Sequence, residues 1–137
     1  MPINNELKET RWRQRFQNLK NAYSQFEDAL KEDTEHKPLM RSALIQNFEF
    51  TFELAWKTLK DRLEAGGIVA KLPRDTIQES FQAGFIKNGS AWIDMLQTRN
   101  ELSHVYDEVF CVKAEKNIRT IYAKVLKEFF ESFKQAI

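Results

Sequence analysis

Apolar residues recur along this chain at helical spacing almost from end to end. Trp12, Phe16, Leu19, Tyr23, Phe26 and Leu30 follow one another at intervals of four, three, four, three and four. That single stripe predicts a helix over about Leu7 to Lys31. Lys31 to Pro38 interrupts it with a polar, charged linker. A second stripe, Leu44, Ile45, Phe48, Phe52, Ala55, Leu59 and Leu63, predicts a helix from about Leu39 to Ala65. Phe50, Leu54 and Trp56 spread its apolar surface beyond one face, as expected of a helix central to a bundle or shared between subunits. Glu49 and Glu53 stand one turn apart in its middle, either as a solvated strip or as a carboxylate pair facing a basic partner.

Punctuation divides the remainder. Gly66-Gly67 ends the second helix, glycine being free to take the left-handed cap conformation. Pro73 opens a short element, lined by Ile77, Phe81 and Phe85 and stopped by Gly84. Asn88-Gly89 or Ser90 starts the next, which carries Trp92, Ile93, Leu96 and Leu102. Asp107 is placed to cap a last helix whose inner face is Ile118, Ile121, Tyr122, Val125, Phe129 and Phe133. The expected fold is all-α: an antiparallel up-and-down four-helix bundle with an additional short helix, residues 1–137 forming a single domain.

Composition narrows the class of protein. Among 137 residues there are 4 glycines, 3 prolines and a formal net charge of +1, which argues against a broadly basic nucleic-acid binder but leaves room for a local basic patch. No apolar run approaches the roughly 20 residues of a membrane span, and Met1 to Thr10 lacks a signal-peptide core. The single cysteine, Cys111, rules out an intrachain disulfide framework and reads as a buried small hydrophobe. A cytoplasmic protein without membrane association is the expectation.

Against this background the segment Arg99-Asn100-Glu101-Leu102-Ser103-His104-Val105-Tyr106-Asp107 stands out. It holds one of only two histidines. In a regular helix Asn100 and His104 share a face, as do Arg99 and Ser103, whereas Arg99 and His104 diverge by about 140°. Three arrangements would still let them cooperate: a swung-round arginine, a distorted last turn before Asp107, or a site completed by a second subunit. Histidine can donate or accept a proton near neutrality. Arginine presents a planar fork to phosphate oxygens, and asparagine can orient an imidazole or a phosphate. Such groups suffice to cleave an RNA phosphodiester without a metal: a base accepts the 2′-hydroxyl proton, an acid protonates the leaving 5′-oxygen, and a cation meets the charge on phosphorus. One histidine per chain falls short of both proton-transfer roles, and a symmetric dimer would supply the second. A packed or capping histidine, and binding without catalysis, are the competing explanations. Lys71, Arg74 and Lys113 could extend a basic RNA-binding patch from this cluster. His36 has no second histidine nearby, no three-ligand zinc spacing occurs, and no glycine-rich phosphate loop is present, so no metal site is expected.

Three blocks resemble a known family: Gln46-Asn47-Phe48-Glu49 through Trp56-Lys57, Pro73-Arg74-Asp75 through Phe81, and Arg99 through Tyr106, which carries an R-x-x-x-x-H-x-Y pattern in full. The chain resembles HEPN-domain proteins of the HepT-like toxin type, which are paired with a minimal nucleotidyltransferase and also called nucleotidyltransferase substrate-binding proteins. The resemblance implies a homodimer with catalytic Arg99 and His104 lining a cleft at its interface. Asn100 and Ser103 support them in metal-independent endoribonuclease action, with transfer RNA among the candidate targets. It further implies a nucleotidyltransferase antitoxin that uses ATP to adenylylate Tyr106; RNA cleavage itself needs no cofactor. An older view of the same family makes the bundle a non-catalytic subunit presenting substrate to the nucleotidyltransferase.

Overall fold

The computed structural model describes the backbone of residues 2–104 and 107–135, and the side chains of residues 6–104 and 107–135. It is an all-α bundle, with no strand among the described residues. Helix α1 runs over Pro2–Leu30 and α2 over Pro38–Ala65. The short α3 covers Pro73–Gln82 and α4 covers Gly89–Leu102. The last long helix is α5, Glu108–Asn117, a π-helical turn at Ile118–Tyr122, and α6, Ala123–Gln135.

Pairings across the helices fix the topology. Arg11 meets Glu64, Arg15 meets Asp61 and Phe26 meets Phe48, so α2 runs antiparallel to α1. Arg119 reaches Leu30 while Phe133 packs on Trp12, so the last helix also runs antiparallel to α1. Thr98 meets Tyr122 and Trp92 meets Phe129, setting α4 antiparallel to that helix in turn. The result is the expected up-and-down four-helix arrangement, with α3 laid against α2 and α4. Trp12, Phe16, Leu19, Phe26, Phe48, Phe52, Leu59 and Trp92 are buried in a continuous core. Each such side chain contributes about 1.5–3 kcal/mol by leaving water.

Both glycine stops form as the spacing implies. At the end of α2, Gly67 takes φ +91°, Ile68 N–H donates to the Leu63 carbonyl and Gly67 N–H to that of Glu64. The end of α3 repeats this with Gly84 at φ +81° and bonds from Phe85 to Ser80 and from Gly84 to Phe81. This is the Schellman arrangement, which satisfies the last orphan carbonyls of a helix.

Two expectations need correction. Ile121 does not join the inner face; it is 45 % exposed, because the i→i+5 turn is wider than an α-turn and returns Tyr122 to the core instead. Phe81 is 52 % exposed, because α3 is rotated to bury Thr76 and Ser80 beside Ile77. The Thr76 hydroxyl tolerates that burial by donating to the Leu72 carbonyl at 2.9 Å. The polar linker before α2 adds a contact that its charge pattern does not announce: Thr34 is buried and its hydroxyl bonds the Glu115 carboxylate. Arg41 Nε meets the same carboxylate at 2.9 Å and Arg119 Nε at 3.0 Å. Arg119 also donates from Nη1 to the Leu30 carbonyl and from Nη2 to that of Glu32. One carboxylate thus ties together the end of α1, the linker, the start of α2 and the last helix.

Candidate functional site

The corner between α4 and α5 carries the Arg99–Asp107 segment. No glycine or proline stops α4 here. Its last turn tightens instead: Ser103 N–H is shared between the Arg99 and Asn100 carbonyls at 3.3 Å each, and His104 N–H donates to Glu101 at 3.0 Å. Leu102 is buried and anchors the corner from below. On the far side the Asp107 carboxylate accepts from Phe110 N–H at 2.7 Å, which is the expected N-cap of α5. His104 therefore lies just past the helix and is exposed.

Arg99 is placed by three neighbours. Its Nη2 lies 2.7 Å from Glu53 Oε2 on α2, the two side chains being 30 % and 25 % exposed. Among the described residues no aligned donor meets Glu53 Oε2. Arg99 Nη1 donates to Asn100 Oδ1 at 3.0 Å, and the Arg99 carbonyl accepts from Ser103 Oγ at 3.2 Å. Arg99, Asn100 and Ser103 are thus brought together, while the exposed imidazole of His104 projects beyond them in sequence. A cation in the last turn also suits the negative end of the α4 dipole.

Glu49 sits one turn before Glu53, half-buried. Burial pushes its carboxyl above the ordinary range, and the Arg99 charge pulls the other way. Its charge also reaches the buried Cys111 on α5, whose thiol is raised by burial first, then by Asp107, with Glu49 adding to it and Arg41 opposing. Of the two readings of this carboxylate pair, the one facing a basic partner is what the fold contains at Glu53.

Two of the three outlying cations, Lys71 and Arg74, sit apart from Arg99. Lys71 lines a separate groove with Val69, Leu72, Asp75 and Glu79, and the exposed Arg74 opens α3. Both follow the C-terminal end of α2, which lies about 18 Å along that helix from Glu53. Lys113 instead lines a groove of about 200 Å³ with Asp94, Gln97, Glu101 and Asn117. A hydrogen bond of 2.9 Å between Thr98 and Tyr122 lies along that groove, at the π-turn. Tyr106 lies outside the described residues. Among the described residues no group of three or more His, Cys, Asp or Glu is placed to hold a metal ion, and no helix is long and apolar enough to cross a membrane. Sequence reasoning missed the Glu115 node altogether, although Glu115 and Arg119 at i and i+4 on a half-apolar helix were a local hint.

A family model described as nucleotidyltransferase substrate binding protein like matches residues 14–135. The chain belongs to that family. A relative from Haemophilus influenzae named as a probable ribonuclease HepT is 35 % identical over 69 residues, which is 47 % of this chain and 47 % of the relative. The chain thus spans about half the length of the curated relative it matches. A crystal structure of a protein from Thermus thermophilus superposes with a TM-score of 0.72 at 26 % identity, covering 82 % of this chain and 96 % of that one. Such coverage shows that most of the bundle is shared with that structure.

Proposed function

We propose that this protein, a single helical domain over residues 1–137, is a metal-independent endoribonuclease toxin of a toxin–antitoxin pair, working as a homodimer in the cytoplasm. The observation that carries the reading is the α4–α5 corner: an arginine held by Glu53 and Asn100, followed by an exposed histidine just past the end of α4. The ribonuclease name of the Haemophilus relative supports the same class of chemistry. In this reading Arg99 meets the scissile phosphate, with Asn100 and Ser103 fixing its position. His104 transfers the proton at the 2′-hydroxyl or at the leaving 5′-oxygen, and the second subunit's cluster supplies the other transfer. Support for a dimer comes from Phe50, 65 % exposed on α2, with the exposed Leu39 on the same helical face about 20° away in projection. Lys71 and Arg74 hold RNA only peripherally, and Lys113 holds it from the groove it shares with Glu101. The nucleotidyltransferase partner silences the toxin by moving AMP from ATP onto Tyr106, adding bulk and negative charge beside the phosphate site. Mass spectrometry of the Tyr106→Phe protein after exposure to partner and ATP should find no adenylyl group.

The decisive experiment is RNA cleavage by the purified protein in EDTA. The wild type should cleave, and His104→Ala should lose roughly 10²–10⁴-fold in rate. Equal cleavage by the His104→Ala protein overturns the role of His104. A second reading, a non-catalytic subunit presenting substrate to a nucleotidyltransferase, draws on the counter-charge that Glu53 places against Arg99 and on the family's description. Absence of metal-resistant cleavage by the wild type would favour it.

A further inference from the structure

We propose that Glu53 is the positioning residue of this site: from α2 it tethers the Arg99 guanidinium of α4 and leaves its remaining N–H edge free for a phosphate. The proposal rests on the ribonuclease reading for its catalytic consequence, but the tether itself can be measured without it.

Three features of the contact support this assignment. First, the pair links two helices that approach at the corner, so it fixes the arginine relative to the bundle and not only to its own helix. Second, its geometry is that of a tether and not of a closed fork. A bidentate arginine–carboxylate pair uses two parallel N–H bonds and consumes the face that would grip a phosphate. Here Nη2 and Oε2 approach to 2.7 Å, no aligned donor among the described residues meets Oε2, and Nη1 is taken up by Asn100. Charge holds the group in place, and donor capacity is left over. Third, Glu53 is itself held: Lys57, one turn later, places Nζ 3.6 Å from Glu53 Oε1. The carboxylate is bracketed between two cations and is only 25 % exposed, so it cannot swing away without leaving both. A half-buried pair of this kind is screened less by salt than a surface pair.

The consequence is a trade between affinity and order. Glu53 lowers the attraction of Arg99 for a phosphate but keeps its guanidinium where charge develops in the transition state. Glu53→Gln preserves shape and removes the charge. Its kcat should fall roughly 10–100-fold, the scale expected for a misplaced catalytic group. Its KM should stay level or drop, because Arg99 is released from its counter-charge. A merely structural role would lower the melting temperature and the active fraction without lowering KM. Glu53→Asp, which keeps the charge on a shorter arm, should recover part of kcat.

The test combines three measurements on the full chain: steady-state cleavage of an RNA oligonucleotide in EDTA, thermal melting, and NMR of the Arg99 side-chain N–H groups. In the wild type, rotation about the Arg99 guanidinium bond should be hindered, and Glu53→Gln should abolish that hindrance. Retained hindrance, unchanged kcat, or a kcat loss matched by lost folded protein overturns the proposal. If the wild type cleaves no RNA, the ribonuclease reading fails by itself. Binding of a 2′-deoxy oligonucleotide, tighter in Glu53→Gln than in wild type, together with the NMR signal, then decides on Glu53; equal or weaker binding rejects it.

Discussion

The arginine–glutamate clusters at Glu115 and at Glu53 differ in how completely their carboxylates are hydrogen-bonded. At Glu115 both carboxylate oxygens are taken, by Arg41 on one side and by Thr34 and Arg119 on the other, and Arg119 also donates from Nη1 and Nη2 to two backbone carbonyls. At Arg99 the contact with Glu53 is close but unaligned, and the neighbouring His104 is exposed. A buried carboxylate with both oxygens hydrogen-bonded across several elements rigidifies a structure. A close but unaligned ion pair at an accessible corner is freer to rearrange around a ligand. The same two residue types thus act as a clasp in one place and as a candidate reaction centre in the other.

Crossed substitutions should break the two apart. Arg99→Ala is expected to reduce RNA cleavage by at least about 10²-fold, while changing stability by less than about 1 kcal/mol, since the Arg99–Glu53 pair is a quarter to a third exposed. Glu115→Ala should do the reverse. It leaves Arg41 and Arg119 partly buried without their carboxylate and should cost about 2–3 kcal/mol, below the full penalty of a wholly buried pair because Arg119 is 31 % exposed. The folded fraction should still cleave at the wild-type rate. Denaturant melts and single-turnover assays on both proteins check this; a large stability loss in Arg99→Ala, or a specific rate loss in folded Glu115→Ala, would erase the distinction.

The pH dependence of stability sharpens the comparison at lower amplitude. Burial alone would push the Glu115 carboxyl up, but hydrogen bonds from Thr34, Arg41 and Arg119 outweigh it and hold it below the ordinary range. Because its folded value is depressed, its contribution is fully present above the unfolded value of about 4.3 and is lost as pH falls through the folded value. The stability gap between wild type and Glu115→Gln should therefore be widest near neutrality and narrow steadily below about pH 4.3. A gap constant down to acid would mean the clasp works by shape and not by charge.

How legible each cluster was in the sequence follows from its range. The α1 stripe reads correctly because Trp12, Phe16, Leu19, Tyr23 and Phe26 report one local period, and all are buried. Asp107 and the glycine stops read correctly because caps are made within five residues. The corner was legible as a group of residues, since Arg99, Asn100 and Ser103 are neighbours in the chain. Its counter-ion was not fixed, because Glu53 arrives from another helix. The Glu115 clasp was invisible for the same reason: Thr34 and Arg41 stand 81 and 74 residues away. Ile121 misled because a π-turn changes the period locally, and nothing in Ile118-Arg119-Thr120-Ile121-Tyr122 announces one. Phe81 misled because two hydroxyl residues, each buried on the neighbouring face, took the place its apolar ring was expected to hold.

Glu49 gives the smallest and most discriminating effect. Its carboxyl is raised by burial, with Arg99 opposing, so its contribution favours folding below the unfolded value and is lost as pH rises through the folded one. At neutral pH the ionised group is therefore a mild burden on the fold. Glu49→Gln should raise the melting temperature, on the order of 1–2 °C, and the gain should vanish in acid, where the wild-type carboxyl is already neutral. Glu53 stands one turn away on the same helix, Arg99 acts on it from α4, and its charge reaches Cys111 on α5. Arg99 supplies the compensation, so removing it should enlarge the gain: Glu49→Gln in an Arg99→Ala background should stabilise more than in the wild type. Non-additivity of that sign, read from a double-mutant cycle of melting temperatures, ties Glu49 to the corner's electrostatics. Strict additivity would place Glu49 outside the cluster and leave Glu53 as the one α2 carboxylate that Arg99 senses.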